Sequence, residues 1–101
     1  MIDVVTYKGH LVVDSFELYK LLGKKNSNYS RWVKRIIRFG LHDTEWFIDD
    51  DILRINKKIK ARYYFSLSFA SGISMTADKT KIIELRRFFS NLIQDLFKID
   101  N

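Results

Sequence analysis

Arg31, Lys34, Arg35 and Arg38 recur at helical spacing within the stretch NYSRWVKRIIRFG, residues 28–40. On a wheel of 100° per residue they share an arc of roughly 100°, and Trp32, Val33, Ile36 and Ile37 fill most of the opposite side. Side chains of this type in this pattern suit one kind of chemistry, the neutralisation and gripping of a polyanion. Each phosphate neutralised on a nucleic acid releases counterions. Arginine can also take guanine N7 and O6 with two hydrogen bonds. Charged outer faces of helices normally mix signs, yet the chain has seven Lys/Arg and no acid between Lys20 and Arg38.

The approach to this stretch adds Lys24, Lys25, Asn26 and Asn28. The two asparagines suit phosphates or adenine edges. In helix-turn-helix docking the N-terminal part of the second helix meets the bases. That favours Asn28, Tyr29, Arg31, Lys34 and Arg35 over Arg38 as base contacts. A second acid-free block follows at Arg54, Lys57, Lys58, Lys60 and Arg62. Its cations suit phosphate contact from a wing, although lysines on strand edges also suppress aggregation. Between the two basic blocks, Asp43 to Asp51 holds five acids and no base.

Other chemistry finds little material. His10 and the His42-Asp43 pair lie far apart and read as surface residues rather than a catalytic set. Ile48–Asp51, IDDD, offers oxygen ligands but lacks EF-hand spacing and reads as a solvated acidic turn. There is no cysteine, which removes disulfides, thiolate zinc and cysteine nucleophiles together. No glycine-rich phosphate loop is present. No enzymatic activity, metal or cofactor is expected.

The elements that must position the cations can be read next. The chain's 101 residues argue for one domain over 1–101, and 47% hydrophobic residues suffice for a core. DVVTYKGHLVVD reads as a hairpin, with Gly9 supplying the positive φ of a tight turn. In DSFELYKLLG, Asp14 or Ser15 caps a helix, Glu17 holds the capping-box position after Asp14, and Gly23 is the stop. The basic helix follows from about Asn28 to Phe39 and ends at Gly40. The result is a helix–turn–helix outline.

Farther on, EWFI and ARYYFSLS read as strands of a wing-like ribbon flanking the excursion DDDILRINKKIK, which is either a loop or itself partly strand. Trp32, Trp46 and at least half of Arg62–Phe65 are expected in the core rather than stacked on bases. FASGISM reads as a short helix weakened by Gly72. A long helix spans 78–98 with Asp78 as cap, and Ile82, Leu85, Phe89, Leu92 and Leu96 form its stripe. At about 30 Å it is long for a domain of this size, and its apolar face is broad enough to bury a copy of itself. The expectation is a small α+β domain that dimerises through that stripe.

Taken in order, these residues resemble a family. Val13, Ser15, Glu17 and Leu18, then Tyr29, Trp32, Val33, Lys34, Arg35, Ile37, Phe39 and Gly40, look like the N-terminal module of phage antirepressors of the AntA/AntB type. That module is similar in outline to the KilA-N and Bro-N modules. Asp43, Glu45, Trp46 and Phe47 match its acidic aromatic turn. Tyr64, Ser66, Leu67 and Ala70, followed by Arg86, Arg87 and Phe89, match its last elements. The likeness runs from about Val12 to Leu92. It departs from the pattern at Phe16, at FASGISM and at TADKTKI.

The resemblance implies a phage- or prophage-type transcription regulator that binds DNA or antagonises a repressor. Longer members carry a C-terminal effector domain, so this chain is either a short form or a piece of a longer protein. With no apolar run near the ~18 residues of a membrane span and no signal-peptide pattern, a cytoplasmic protein is expected. A module that binds a repressor protein through the same basic face, without DNA, is the alternative. Salt dependence separates the two in part.

Overall fold

A computed structural model describes residues 2–24, 28–55, 58–76 and 79–98, with side chains described outside 50–60, 79–80 and 96–98. The first hairpin joins β1 (Val4–Tyr7) to β2 (His10–Asp14), pairing Val4 with Val13 and Tyr7 with His10. Its two-residue loop has φ of 51° at Lys8 and 80° at Gly9. Two consecutive positive φ values are what a tight turn matching the twist of both strands demands.

α1 (Ser15–Leu21) begins directly after β2. Asp14 is its N-cap, accepting a hydrogen bond from the Phe16 amide at 2.7 Å. Glu17, expected to complete a capping box, instead pairs with Lys20 at 3.2 Å. Gly23, with φ of +77°, terminates the helix as expected. α2 (Tyr29–Ile36) continues as a single 3-10 turn, Ile37–Phe39. At Gly40 the backbone turns extended, with φ of −124°, and the residue is glycine for want of space rather than for a positive φ. A Cβ there would lie 2.7 Å from the Phe69 ring.

The segment between the two expected strands, open to being partly strand, is strand up to Ile55 and again from Lys58. β3 (Trp46–Ile55) and β4 (Lys58–Ser66) pair from Trp46–Phe65 to Ile55–Lys58, with a register shift between Asp49 and Ile52. β2 joins the same sheet through Val12–Ser66, Val13–Phe65 and Asp14–Tyr64, giving the antiparallel order β1-β2-β4-β3. Because β2 pairing ends at Tyr64, the far half of the β3–β4 ribbon has only itself as partner and forms the wing. α3 (Leu67–Ser74) is capped by the Ser66 hydroxyl, which accepts from the Phe69 amide at 3.2 Å. α4 (Lys79–Lys98) closes the chain. Asp78, its expected cap, lies outside the described residues.

The four helices cover one face of the sheet. Val13 and Phe65 from the strands meet Leu18, Tyr19, Trp32, Val33, Ala70, Leu85 and Phe89 in one buried cluster. A smaller aromatic group occupies the other face, where Phe47 sits 5.8 Å from Tyr7 and 5.0 Å from His10 between ring centroids. The fold is thus the expected α+β domain, with its hairpin, helix-turn-helix-like pair, ribbon and long C-terminal helix.

One expectation about α4 needs correcting. Leu85 and Phe89 were expected at a dimer interface, but they are 2% and 1% exposed inside the chain's own core. Ile82 and Leu92 are half-buried against that same core. The Leu96 side chain lies outside the described set. The described part of the stripe is therefore used, wholly at Leu85 and Phe89 and partly at Ile82 and Leu92, by the chain's own core.

Candidate nucleic-acid interface

α2 divides as its periodicity demands. Tyr29, Trp32, Val33 and Ile36 are buried, and Arg31, Lys34, Arg35 and Arg38 are exposed. Burial of each apolar side chain contributes about 1.5–3 kcal/mol, enough to hold the helix against the core without help from its cations. Trp32 lies 4.9 Å from Tyr19 and 6.1 Å from Phe65 between centroids, so the indole is scaffold. Trp46 is half-buried and donates from Nε1 to the Gly40 carbonyl at 3.1 Å. Phe65 is fully buried and Tyr63 and Tyr64 half-buried, in keeping with a packing role for that cluster.

Tyr29 departs from its expected role. It is 1% exposed, its hydroxyl shares a 2.5 Å hydrogen bond with Ser15 Oγ, and its ring stands edge-on to Phe16 and Tyr19. Burial pushes its phenol well above the ordinary tyrosine range, as it also raises Tyr19. A neutral, enclosed phenol cannot reach a base edge. Tyr29 fixes the crossing of α1 and α2 instead.

The exposed face contains an open recess of about 390 Å³ where α1 ends and α2 begins. Tyr19 and Trp32 line its inner part, with Gly23, Lys24, Asn28, Arg31 and Arg35 around it. Among the described residues, no acidic side chain lines it. Gly23 keeps this wall low, and the sequence pattern gave no hint that a recess would form there. Lys34 and Arg38 continue the same exposed face along α2.

The electrostatics are one-sided. Among the described residues the salt bridges are Lys8–Asp43, Lys20–Glu17, His42–Asp43 and Arg62–Asp14. Lys24, Arg31, Lys34, Arg35 and Arg38 form none with a described side chain. Asn28 is exposed and makes no side-chain capping hydrogen bond to α2. Five cations without a described salt-bridge partner, together with an amide, on one exposed face can bind successive phosphates and offer donors to base edges.

The wing is less completely placed. Lys58 and Lys60 sit on β4 opposite Ile55 and Leu53, and Lys57 lies outside the described residues, as do Lys25 and Asn26. Arg62 is committed elsewhere. Its guanidinium pairs with the Asp14 carboxylate at the start of α1, and both side chains are mostly buried. It therefore braces the ribbon against the helical pair rather than facing a phosphate.

No protein-family model, curated protein or solved structure matches this chain. Among the described residues, no helix is long and apolar enough to cross a membrane.

Proposed function

We propose that this protein is a DNA-binding transcription regulator of the phage antirepressor kind, using the outer face of α2 as its reading surface. The observation that carries the reading is the set of five exposed cations, none neutralised by a described acid: Lys24, Arg31 and Arg35 line the recess beside Asn28, and Lys34 and Arg38 extend the exposed face beyond it. A helix held by its opposite face and basic on its free face suits the major groove. The β3–β4 wing projects from the same sheet and supplies a second, weaker backbone contact. The ordered antirepressor-like residues favour a regulator of phage or host transcription over a non-specific packaging protein, and the work is done in the cytoplasm without a cofactor.

A mobility shift on the DNA flanking the protein's own gene tests this. Retardation by the native chain and its loss in Arg31→Ala/Arg35→Ala is the expected result. No shift at about 50 mM salt with tens of micromolar protein contradicts the proposal, since non-specific contact alone binds in that range. Contact with a repressor protein in place of DNA would leave the shift absent and show little dependence on salt.

A further inference from the structure

The recess between α1 and α2 draws cations from more of the chain than the helical pair. Lys24 follows α1, Arg31 and Arg35 stand one turn apart on α2, and all three line it with Asn28. A further cation comes from α4. Gly23 belongs to the same lining, and a Cβ built on it would lie 3.8 Å from Cε of Lys81. Lys81 is half-buried, and its ammonium is one bond beyond that carbon. The first turn of α4 therefore lays a lysine stem against the wall of the recess, an arrangement that keeps the charged head towards water at the rim.

Cations held together repel one another. Mixed-sign surfaces relieve that repulsion with interspersed acids, as Lys8, Lys20 and Arg62 show, each paired with a carboxylate. Around the recess no such relief is described. Lys24, Arg31, Arg35 and Lys81 form no salt bridge with a described acid, Glu84 three residues beyond Lys81 included. An anion entering the recess would supply it.

We propose that the recess is a phosphate seat, with Lys81 joining Lys24, Arg31 and Arg35 around one phosphate group. The two guanidiniums offer planar paired donors that match phosphate oxygens, and the lysines add point charge. The exposed Asn28 carboxamide supplies a neutral donor in the same lining. The recess volume of about 390 Å³ lies near the lower end for ligand sites and admits a phosphate with its sugar. A stacked base is not the occupant. Tyr19 and Trp32 at the inner end are 0% and 4% exposed, so neither opens a ring face to a base. That the phosphate belongs to a DNA strand rests on the DNA reading above; a free phosphomonoester presents the same chemistry. A seated backbone phosphate positions α2 and carries no sequence information.

Two measurements on the full chain test the seat and its source separately. The first needs no DNA: inorganic phosphate is titrated at low chloride and followed by proton–nitrogen NMR. Saturable shifts centred on the Gly23 and Lys24 amides and the Trp32 indole are expected. Lys81→Gln keeps a stem beside Gly23 but removes the charge, and should raise the phosphate dissociation constant about two- to fivefold, the scale of one exposed ion pair. Lys81→Arg should restore it. Arg86→Ala takes a cation from the same helix beside a different recess, and should titrate as the native chain does. The second is duplex affinity against salt. Lys81→Gln is expected to weaken unrelated duplexes by the same factor and to flatten the logarithmic slope by about one unit.

No saturable shift at Gly23, Lys24 and Trp32 overturns the seat, whatever the duplex result; if duplexes still bind, the DNA reading stands without it. A phosphate constant unchanged by Lys81→Gln overturns the part given to Lys81. Phosphate shifts at the recess without duplex binding support the seat, assign it to a free phosphomonoester and set the DNA reading aside.

Discussion

The hydroxyls of Ser15 and Tyr29 lie 2.5 Å apart in the buried seam between α1 and α2. They join the first residue of one helix to the first residue of the next, across 14 positions of sequence. That bond fixes how α2 crosses α1, and so the direction in which Arg31 and Arg35 point. Tyr29→Phe leaves the Ser15 hydroxyl buried without its partner and is expected to cost about 1–3 kcal/mol. Ser15→Ala should cost a similar amount, and the double variant clearly less than the sum of the two. Urea unfolding of the three variants measures the coupling directly.

The same burial makes alkaline pH destabilising. The phenol of Tyr29 titrates higher in the folded chain than its ordinary value of 10.0, because burial disfavours the phenolate. A raised folded value means that the contribution is fully present below about pH 10 and is lost as pH rises beyond it towards the folded value. Unfolding free energy measured from pH 8 to pH 11.5 is therefore expected to fall above about pH 10. In Tyr29→Phe that fall should be shallower. An equal slope in both proteins would assign the loss to other groups.

Two glycines should respond in opposite directions to the same substitution. Gly40→Ala drives a methyl to 2.7 Å from the Phe69 ring, and overpacking of this kind costs about 1–3 kcal/mol. Gly72→Ala meets no described atom within 4 Å and is expected to stabilise the fold by about 0.5–1 kcal/mol through helix propensity. Thermal melts of dilute samples distinguish the two.

Asp14 serves both the α1 cap and the brace to Arg62. Asp14→Asn keeps an acceptor for the Phe16 amide but removes the charge, whereas Asp14→Ala removes both. The alanine variant should be less stable than the asparagine variant by about 1 kcal/mol, the usual worth of a cap. Equal losses would mean that the ion pair with Arg62 is the only contribution that matters.

Much of this fold is legible in the sequence because local chemistry and tertiary packing agree. Lys8-Gly9 between two β-branched runs specifies the first hairpin, and the spacing of Trp32, Val33 and Ile36 specifies the buried face of α2. What escapes the pattern depends on distant partners. Nothing within residues 28–40 says that Ser15 will wait for the Tyr29 hydroxyl, so a tyrosine at the start of a basic helix looks like a contact residue. The stripe of α4 reads alike whether it meets its own core or a second chain, and only the positions of α3 and the sheet decide it. Periodicity likewise gives Phe39 a face but not the point where the core beneath it ends, which is why a ring following buried Ile36 and half-buried Ile37 can stand 78% exposed. Arg62 looked like a free wing cation because its partner Asp14 lies 48 residues away.

The most direct measurement is DNA affinity as a function of salt, by fluorescence anisotropy, for the native chain and for Arg31→Ala/Arg35→Ala. Four neutralised phosphates correspond to roughly a 10²-fold loss of affinity between about 50 and 200 mM salt. Removing two arginines is expected to weaken binding and to flatten the logarithmic slope by about two units. Native binding with no salt dependence, or a double variant with the native slope and affinity, would contradict a reading surface on α2.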